Sequence, residues 1–206
     1  MSDLKQLLAA ALDHRSELLV SLHNESTDCY RLFHGTNEGM PGLTVDRYGP
    51  QLLVQSFHEP VSDADLAEIE QQCAAIFSPE EVVYNDRSAK NSRRSDDSRL
   101  LRSEYVGQEL GVNYRVRGKH EGQDPLLFLD MRAGRRKILE LAEGKSVLNL
   151  FSYTCGVGVC AAKAGAKEVV NVDFSTRNLD VGRENAELNA IDDARIEFVQ
   201  SDEFPV

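Results

Sequence analysis

Asp173 ends the run Glu168-Val-Val-Asn-Val172, which reads as a strand, and a carboxylate at the end of such a strand can accept both hydroxyls of a ribose. Asn149 places a side-chain amide near the end of an earlier apolar run, residues 147–151, whose composition suits a strand buried on both faces. Between the two lies Phe151-Ser-Tyr-Thr-Cys-Gly-Val-Gly158, where Gly156 and Gly158 remove side chains at a place where backbone must pass close to a ligand. Residues 159–166 are small enough for the next helix to lie tight on a sheet. Strand, glycine-bearing turn, small-residue helix and a second strand ending in an acid is the order an open α/β sheet needs to hold an adenosine-type cofactor above its strand ends.

Two cofactor classes compete for this unit. Gly156-Val-Gly158-Val-Cys-Ala161 satisfies the dinucleotide pattern G-x-G-x-x-A, a weak signal alone. A dinucleotide site, however, brings its first glycine directly after the strand so that pyrophosphate meets the helix N-terminus. Here Phe151, Ser152, Tyr153, Thr154 and Cys155 intervene, leaving room for an amino-acid tail. S-adenosylmethionine carries a sulfonium, an ammonium and a carboxylate; Asn149 offers a carbonyl oxygen to the ammonium, and loop amides suit the carboxylate. The reading favours S-adenosylmethionine, with a nicotinamide dinucleotide and a merely connecting glycine turn as alternatives. Asp202, after the apolar residues 196–199, can accept the adenine amino group or simply serve a strand-end turn. In Phe128-Leu-Asp130-Met-Arg132, Arg132 can pair with the methionine carboxylate, a bidentate contact Lys could not copy; the alternative is an Asp130 helix cap with Arg132 in solvent.

Asn149-Leu-Phe-Ser-Tyr-Thr154, Phe128-Leu-Asp-Met-Arg132 and Val172-Asp-Phe-Ser175 together resemble the class I ribosomal RNA large-subunit methyltransferases of the cytosine-5 and guanine-N7 type. Residues 31–49, RLFHGTNEGMPGLTVDRYG, are similar to the stretch that opens the middle domain of those enzymes, so the resemblance covers most of the chain. It implies a small mixed domain followed by a methyltransferase domain. Around the cofactor it places Asn149, the residues from Phe151 to Gly158, Asp173 with its neighbour Phe174, and Asp202. Departures occur at Cys155, where the family has Gly, at Met131, where it has Gln, and at Gln123-Asp-Pro-Leu126, where it has a Gln-Lys-Thr-Gly-like run. The pseudouridine-synthase-and-archaeosine-transglycosylase (PUA) RNA module that often precedes the middle domain is expected to be absent. The family's Pro-Pro motif and the nucleophilic cysteine of its cytosine-5 branch follow the fourth strand, so the catalytic groups are expected beyond Val206 and the chain is expected to be C-terminally truncated and inactive alone. Truncation beside the first strand would leave a sheet edge open to pairing with another copy.

Net charge is −11, which fits poorly with an RNA enzyme, but residues 87–137 hold 13 Lys or Arg against 7 Asp or Glu. That basic stretch, with Arg93, Arg94, Arg115, Arg117 and Lys119 as candidate phosphate contacts, can bind RNA by counterion release or can simply solvate a surface. Its aromatics, Tyr105 and Tyr114 among them, are too few for a stacking platform. The four cysteines show no C-x-x-C spacing, so neither a metal site nor a redox dithiol is expected, and Cys155 reads as an apolar filler. No apolar run is long enough to cross a bilayer and the N-terminus lacks signal-peptide features, so a cytoplasmic location is expected.

The elements that position these residues follow from pattern. Leu4, Leu7, Leu8, Ala11 and Leu12 form a helical stripe; residues 43–48 and 51–57 flank Gly49-Pro50 as a hairpin; Ser62 caps a helix; and residues 82–85 resume a strand. Residues 105–106 and 112–117 read as a second hairpin, residues 132–142 as a helix, and residues 146–151, 168–173 and 195–200 as three strands. The predicted class is α/β: a small mixed α+β domain, residues 1–103, a hairpin linker, 104–124, and the first half of a doubly wound, Rossmann-like methyltransferase sheet, 125–206. The functional expectation is an S-adenosylmethionine-dependent RNA methyltransferase, against a nicotinamide oxidoreductase or a non-catalytic cofactor- or RNA-binding remnant.

Overall fold

A computed structural model of the chain describes residues 2–88, 105–118 and 125–202. Arg93, Arg94 and Lys119 lie outside the described residues. The chain divides into two units, Met1–Gln108 with Val116–Pro125, and Glu109–Arg115 with Leu126–Val206, so the residues expected to form a hairpin linker are shared between them.

The first unit is a four-stranded sheet, β1 (Cys29–His34), β2 (Leu43–Tyr48), β3 (Gln51–Ser56) and β4 (Glu81–Asp86), in that spatial order. β1 and β3 run antiparallel to β2, while β4 runs parallel to β3. The parallel step needs a crossover, supplied by α3 (Asp63–Cys73), whose Ser62 cap accepts from the Asp65 amide at 3.2 Å. Helices α1 (Ser2–His14) and α2 (Ser16–Asn24) bury Leu4, Leu8, Ala11, Leu19 and Leu22 with Ile69 and Cys73 of α3 against the apolar sheet face. The β2–β3 turn uses Gly49 at φ +59°, as its tight reversal requires. β1 and α2 were not legible beforehand. A bulge between Arg31 and Phe33 breaks the alternation of β1, so its burial never shows a period of two.

The second unit is built on three parallel strands, β7 (Ser146–Leu150), β8 (Glu168–Asp173) and β9 (Ile196–Gln200), in the order β7-β8-β9. They are joined by α5 (Gly156–Lys163) and α6 (Thr176–Leu188), and α4 (Arg132–Leu141) leads in. The hairpin strands β5 (Tyr105–Glu109) and β6 (Val112–Val116) precede α4. The chain is thus a mixed α/β protein with a Rossmann-like sheet, as predicted, and the three parallel strands fall within a residue of their expected bounds. One expectation is corrected: β7 is not buried on both faces. It sits at the sheet edge, and Leu148 and Leu150 are exposed, because among the described residues no element covers the face opposite α5. α6 also went unrecognised, since its buried residues Leu179, Gly182, Asn185 and Ala186 include only two ordinary apolar side chains.

Candidate functional site

Asn149 and Asn171 are registered partners on β7 and β8, so their side chains meet on the same sheet face. Asn149 Nδ2 donates to Asn171 Oδ1 at 2.9 Å, and Asn171 Nδ2 donates to the Glu197 carbonyl at 3.4 Å. Because the last acceptor is a backbone carbonyl, both amide orientations follow, and the ladder uses the donor of Asn149 while leaving its acceptor oxygen for a ligand. Asn171 is fully buried beneath α5: a Cβ on Gly158 would stand 1.9 Å from Asn171 Oδ1. Gly158 therefore serves helix-to-sheet packing, the role of the last small residue in glycine-rich cofactor turns. A Cβ on Gly156 would meet Tyr114 at an ordinary 3.7 Å, so this position is not sterically closed by the fold.

The bend after β7 takes a form that glycine counting did not reveal. The left-handed residues are Phe151 (φ 52°), Tyr153 (φ 50°) and Cys155 (φ 60°), every second residue. Each non-glycine residue in that region costs roughly 1–2 kcal/mol, and such strain persists only where surrounding bonds over-determine it. Those bonds are present. The Ser152 amide donates to the Val172 carbonyl (3.0 Å), the Tyr153 amide to Asp173 Oδ2 (2.8 Å) and the Cys155 amide to the Ser152 carbonyl (2.8 Å). Thr154 Oγ1 donates to the Leu126 carbonyl (2.7 Å), and Asn185 Nδ2 donates to the Thr154 carbonyl (3.1 Å). The amides of Ser152 and Tyr153 are thus both engaged within the protein. The free donors are the first-turn amides of α5, at Gly156, Val157 and Gly158, which have no intrahelical acceptor.

Asp173 is buried at the end of β8 and accepts from the Tyr153 amide and, at 3.0 Å, from the Ser175 amide. A carboxylate has about four acceptor sites, so two amides leave capacity for a diol. On either side of this acid, Phe151 (68%) and Phe174 (64%) are exposed aromatic rings at the strand ends. The Ser201 amide donates to the Asp173 carbonyl at 3.0 Å, which brings the exposed Asp202 to the same edge. Asn149, the bend, Asp173, Phe174 and Asp202 therefore gather at the carboxyl ends of three adjacent parallel strands.

Arg132 is placed elsewhere. Its Nε donates to Glu109 Oε2 at 3.0 Å, and Glu109, fully buried, also receives Arg135 Nε. Arg135 Nη2 donates to the Phe128 carbonyl at 2.6 Å. Arg132 is thus ion-paired with Glu109 of the β5–β6 hairpin and is not the solvent-facing residue of the alternative reading. Beside this cluster Tyr114 is buried with its hydroxyl 2.8 Å from Cys160 Sγ, and burial pushes its pKa well above the usual tyrosine value. Arg115 Nε stands 3.0 Å from Glu184 Oε2 in an ion pair without hydrogen-bond alignment, and the Arg117 amide bonds the Pro125 carbonyl. All four cysteines are free thiols and buried; burial raises Cys155 to about 11, so it is a packed thiol, not a nucleophile. Among the described residues no cluster of three or more His, Cys, Asp or Glu could hold a metal, and no helix is long and apolar enough to cross a membrane. Glu109, Tyr114, Asn171, Gly182 and Asn185 were missed from sequence; only the Asn185/Asn189 spacing, two amides one helical turn apart, offered a signal.

A family model for S-adenosylmethionine-dependent methyltransferases matches residues 30–205. The chain belongs to that family. Ribosomal RNA large subunit methyltransferase I of Shigella flexneri is 35% identical over 195 residues, covering 87% of this chain and 47% of that protein. The Aeromonas hydrophila protein of the same name is 35% identical over 187 residues, 85% and 46% of the respective lengths. The chain spans about half the length of these relatives. Among solved structures, a methyltransferase complexed with S-adenosylhomocysteine superposes with a TM-score of 0.75 at 25% identity, over 97% of this chain and 51% of that one. A Streptococcus mutans S-adenosylmethionine-dependent methyltransferase gives 0.73 at 25% identity, over 97% and 52%. The cofactor class is S-adenosylmethionine, and the nicotinamide alternative is not favoured.

Proposed function

We propose that this chain forms the cofactor-binding part of an RNA methyltransferase acting on ribosomal RNA, in the cytoplasm. The observation that carries the reading is the convergence of Asn149, the strained bend, the α5 N-terminus, Asp173 and Phe174 at the carboxyl ends of β7, β8 and β9. The residues fit the cofactor chemically. The acceptor oxygen of Asn149 suits an ammonium, the unbonded amides of α5 suit a carboxylate, Asp173 has capacity for ribose hydroxyls, and the Phe151 and Phe174 rings suit an adenine. S-adenosylmethionine, when bound, supplies an activated methyl group on sulfur. The chain's own residues orient it and exclude water, and no proton transfer is asked of them. An RNA substrate is supported by the ribosomal RNA methyltransferases it resembles. Cytosine-5 and guanine-N7 targets are both compatible with this arrangement, because the choice rests on base-activating groups that are not among Asn149, the bend and Asp173.

Titration calorimetry with S-adenosylhomocysteine and with NAD tests the cofactor. Micromolar binding of the first and none of the second is expected, and the reverse result overturns the reading. The exposed edge of β7, with Leu148 and Leu150, supports self-pairing through that strand. Light scattering should show mass rising with concentration; a constant monomer mass removes that part of the proposal.

A further inference from the structure

Tyr114 is buried whole, yet it carries a hydroxyl, and that hydroxyl is aimed at the start of α5. Its oxygen lies 3.3 Å from the Gly156 carbonyl oxygen and 2.8 Å from Cys160 Sγ. A carbonyl only accepts, so the bond to Gly156 uses the hydroxyl's one proton, and the thiol of Cys160 then donates to the phenol oxygen. Burial raises Tyr114 well above the usual tyrosine value and Cys160 to about 11, so both protons are in place at neutral pH. Thiol, hydroxyl and carbonyl thus form a chain of hydrogen bonds that ends on the first residue of the helix.

The place of that hydroxyl is fixed from several sides. On β6 both neighbours of Tyr114 are tied to α6: the Asn113 amide donates to Asn189 Oδ1 at 2.9 Å and the Arg115 amide to Asn185 Oδ1 at 2.7 Å. The ring edge stands 3.7 Å from the point where a side chain on Gly156 would begin, an ordinary contact. Arg135, whose Nε and Nη2 are taken by Glu109 and the Phe128 carbonyl, lies 6.0 Å from the ring centroid. In an α-helix the carbonyl of one residue and the amide of the next share a peptide plane and point opposite ways along the axis. The Gly156 carbonyl therefore faces into the helix, toward Cys160, and the Val157 amide faces out of its start, with no intrahelical acceptor. A hydrogen bond received by the carbonyl polarises that peptide and makes its N–H a stronger donor.

We propose that Tyr114 is a positioning residue for the cofactor: with Cys160 behind it, its hydroxyl sets and polarises the Gly156–Val157 peptide, whose N–H holds the carboxylate of the amino-acid tail. This rests on the cofactor reading above and deepens it, because the preference for a nucleoside that carries an anionic tail then depends on a tyrosine that acts through the helix without touching the ligand. In the sequence Tyr114 counts among the aromatics of a basic stretch, whereas its place in the fold is the wall behind the start of α5.

Calorimetry on the full chain and on Tyr114→Phe compares S-adenosylhomocysteine with its decarboxylated form, which keeps the nucleoside and the ammonium and lacks only the anion. Tyr114→Phe should weaken S-adenosylhomocysteine about threefold to tenfold, the size of one net hydrogen bond, and leave the decarboxylated form unchanged. Cys160→Ala should act in the same direction, and Cys160→Ser, which keeps a donor, should restore the affinity. Nuclear magnetic resonance of the isotope-labelled chain reads the peptide itself: the Val157 amide proton should move downfield when S-adenosylhomocysteine binds, and by less in Tyr114→Phe. Equal weakening of both ligands shows that the tyrosine serves only the fold and overturns the proposal. Unchanged affinity for both, or a Val157 amide that responds alike in the two chains, overturns it as well. Failure of the unaltered chain to bind either ligand removes the cofactor reading and the role of Tyr114 together.

Discussion

Asn185 on α6 holds two elements at once: its Nδ2 donates to the Thr154 carbonyl of the bend at 3.1 Å, and its Oδ1 accepts from the Arg115 amide of β6 at 2.7 Å. One turn later Asn189 exchanges bonds with both the amide and the carbonyl of Asn113. Side-chain amides of Asn185 and Asn189 thus bond the backbone of β6 where, among the described residues, no further strand pairs with it. Because the bend is strained, removal of an anchor should be felt in the ligand site. Asn185→Ala should lower stability by about 2–3 kcal/mol through two unsatisfied buried groups. Asn185→Asp keeps the acceptor for Arg115 but sets a buried carboxylate oxygen against the Thr154 carbonyl, so it should lose at least as much stability as the alanine variant and also weaken S-adenosylhomocysteine binding. Thermal melts and calorimetry on the two variants separate these effects.

Glu109 takes both Arg132 and Arg135, and Arg135 is itself buried. Glu109→Ala strands a buried guanidinium and should cost about 3–5 kcal/mol. Replacing both, Glu109→Leu with Arg135→Met, should recover most of that loss, since well-packed apolar pairs of similar volume are often no worse than the ion pair. Urea unfolding of the single and double variants measures the difference; a double variant as unstable as the single would show that the cluster is held by packing at Tyr114 instead.

Gly158→Ala tests the Asn149–Asn171 ladder from the opposite side. A methyl group placed 1.9 Å from Asn171 Oδ1 forces α5 off the sheet, and a loss on the order of 2–3 kcal/mol is expected. Gly156→Ala, with ordinary space around it, should be tolerated by the fold. A melting temperature for Gly158→Ala equal to that of the unaltered chain would contradict the close approach.

Alkaline pH offers a fourth check. Burial raises Cys73 from 9.0 to about 12 and Cys155 and Cys160 from 9.0 to about 11. The folded state therefore holds these protons more tightly than the unfolded chain does. Their contribution is fully present below pH 9, starts to fall as the unfolded thiols ionise, and is gone once pH passes the folded values. Stability to urea should drop steadily between about pH 9 and pH 12, and thiol labelling at pH 8 should be slow until the chain unfolds.

How much of this was legible follows from what each residue had to signal. β7, β8 and β9 announced themselves because short apolar runs ending in Asn149, Asp173 and Asp202 carry both a strand signal and a chemical one. β1 was hidden by its bulge, and α6 by the asparagines it uses as hydrogen-bonding arms, which look like loop residues. The site's composition was readable, whereas its bonding was not. Nothing in the order of residues tells that Arg132 faces Glu109, twenty-three positions away, or that Phe151, Tyr153 and Cys155, none of them glycine, adopt left-handed conformations. Those facts depend on tertiary neighbours.

Cys155 stands where the resembled enzymes have glycine, and it keeps the left-handed backbone a glycine would adopt freely. Its sulfur has room only because α6 offers Gly182 there: a Cβ on Gly182 would fall 2.5 Å from Cys155 Sγ. The two positions thus share one parcel of volume, traded between loop and helix. A chain with glycine at 155 can place alanine at 182 once the Phe198 ring, 3.1 Å from the added carbon, gives by a few tenths of an ångström, and each change alone leaves either a void or a collision, so in descendants of this sequence the pair should drift in concert.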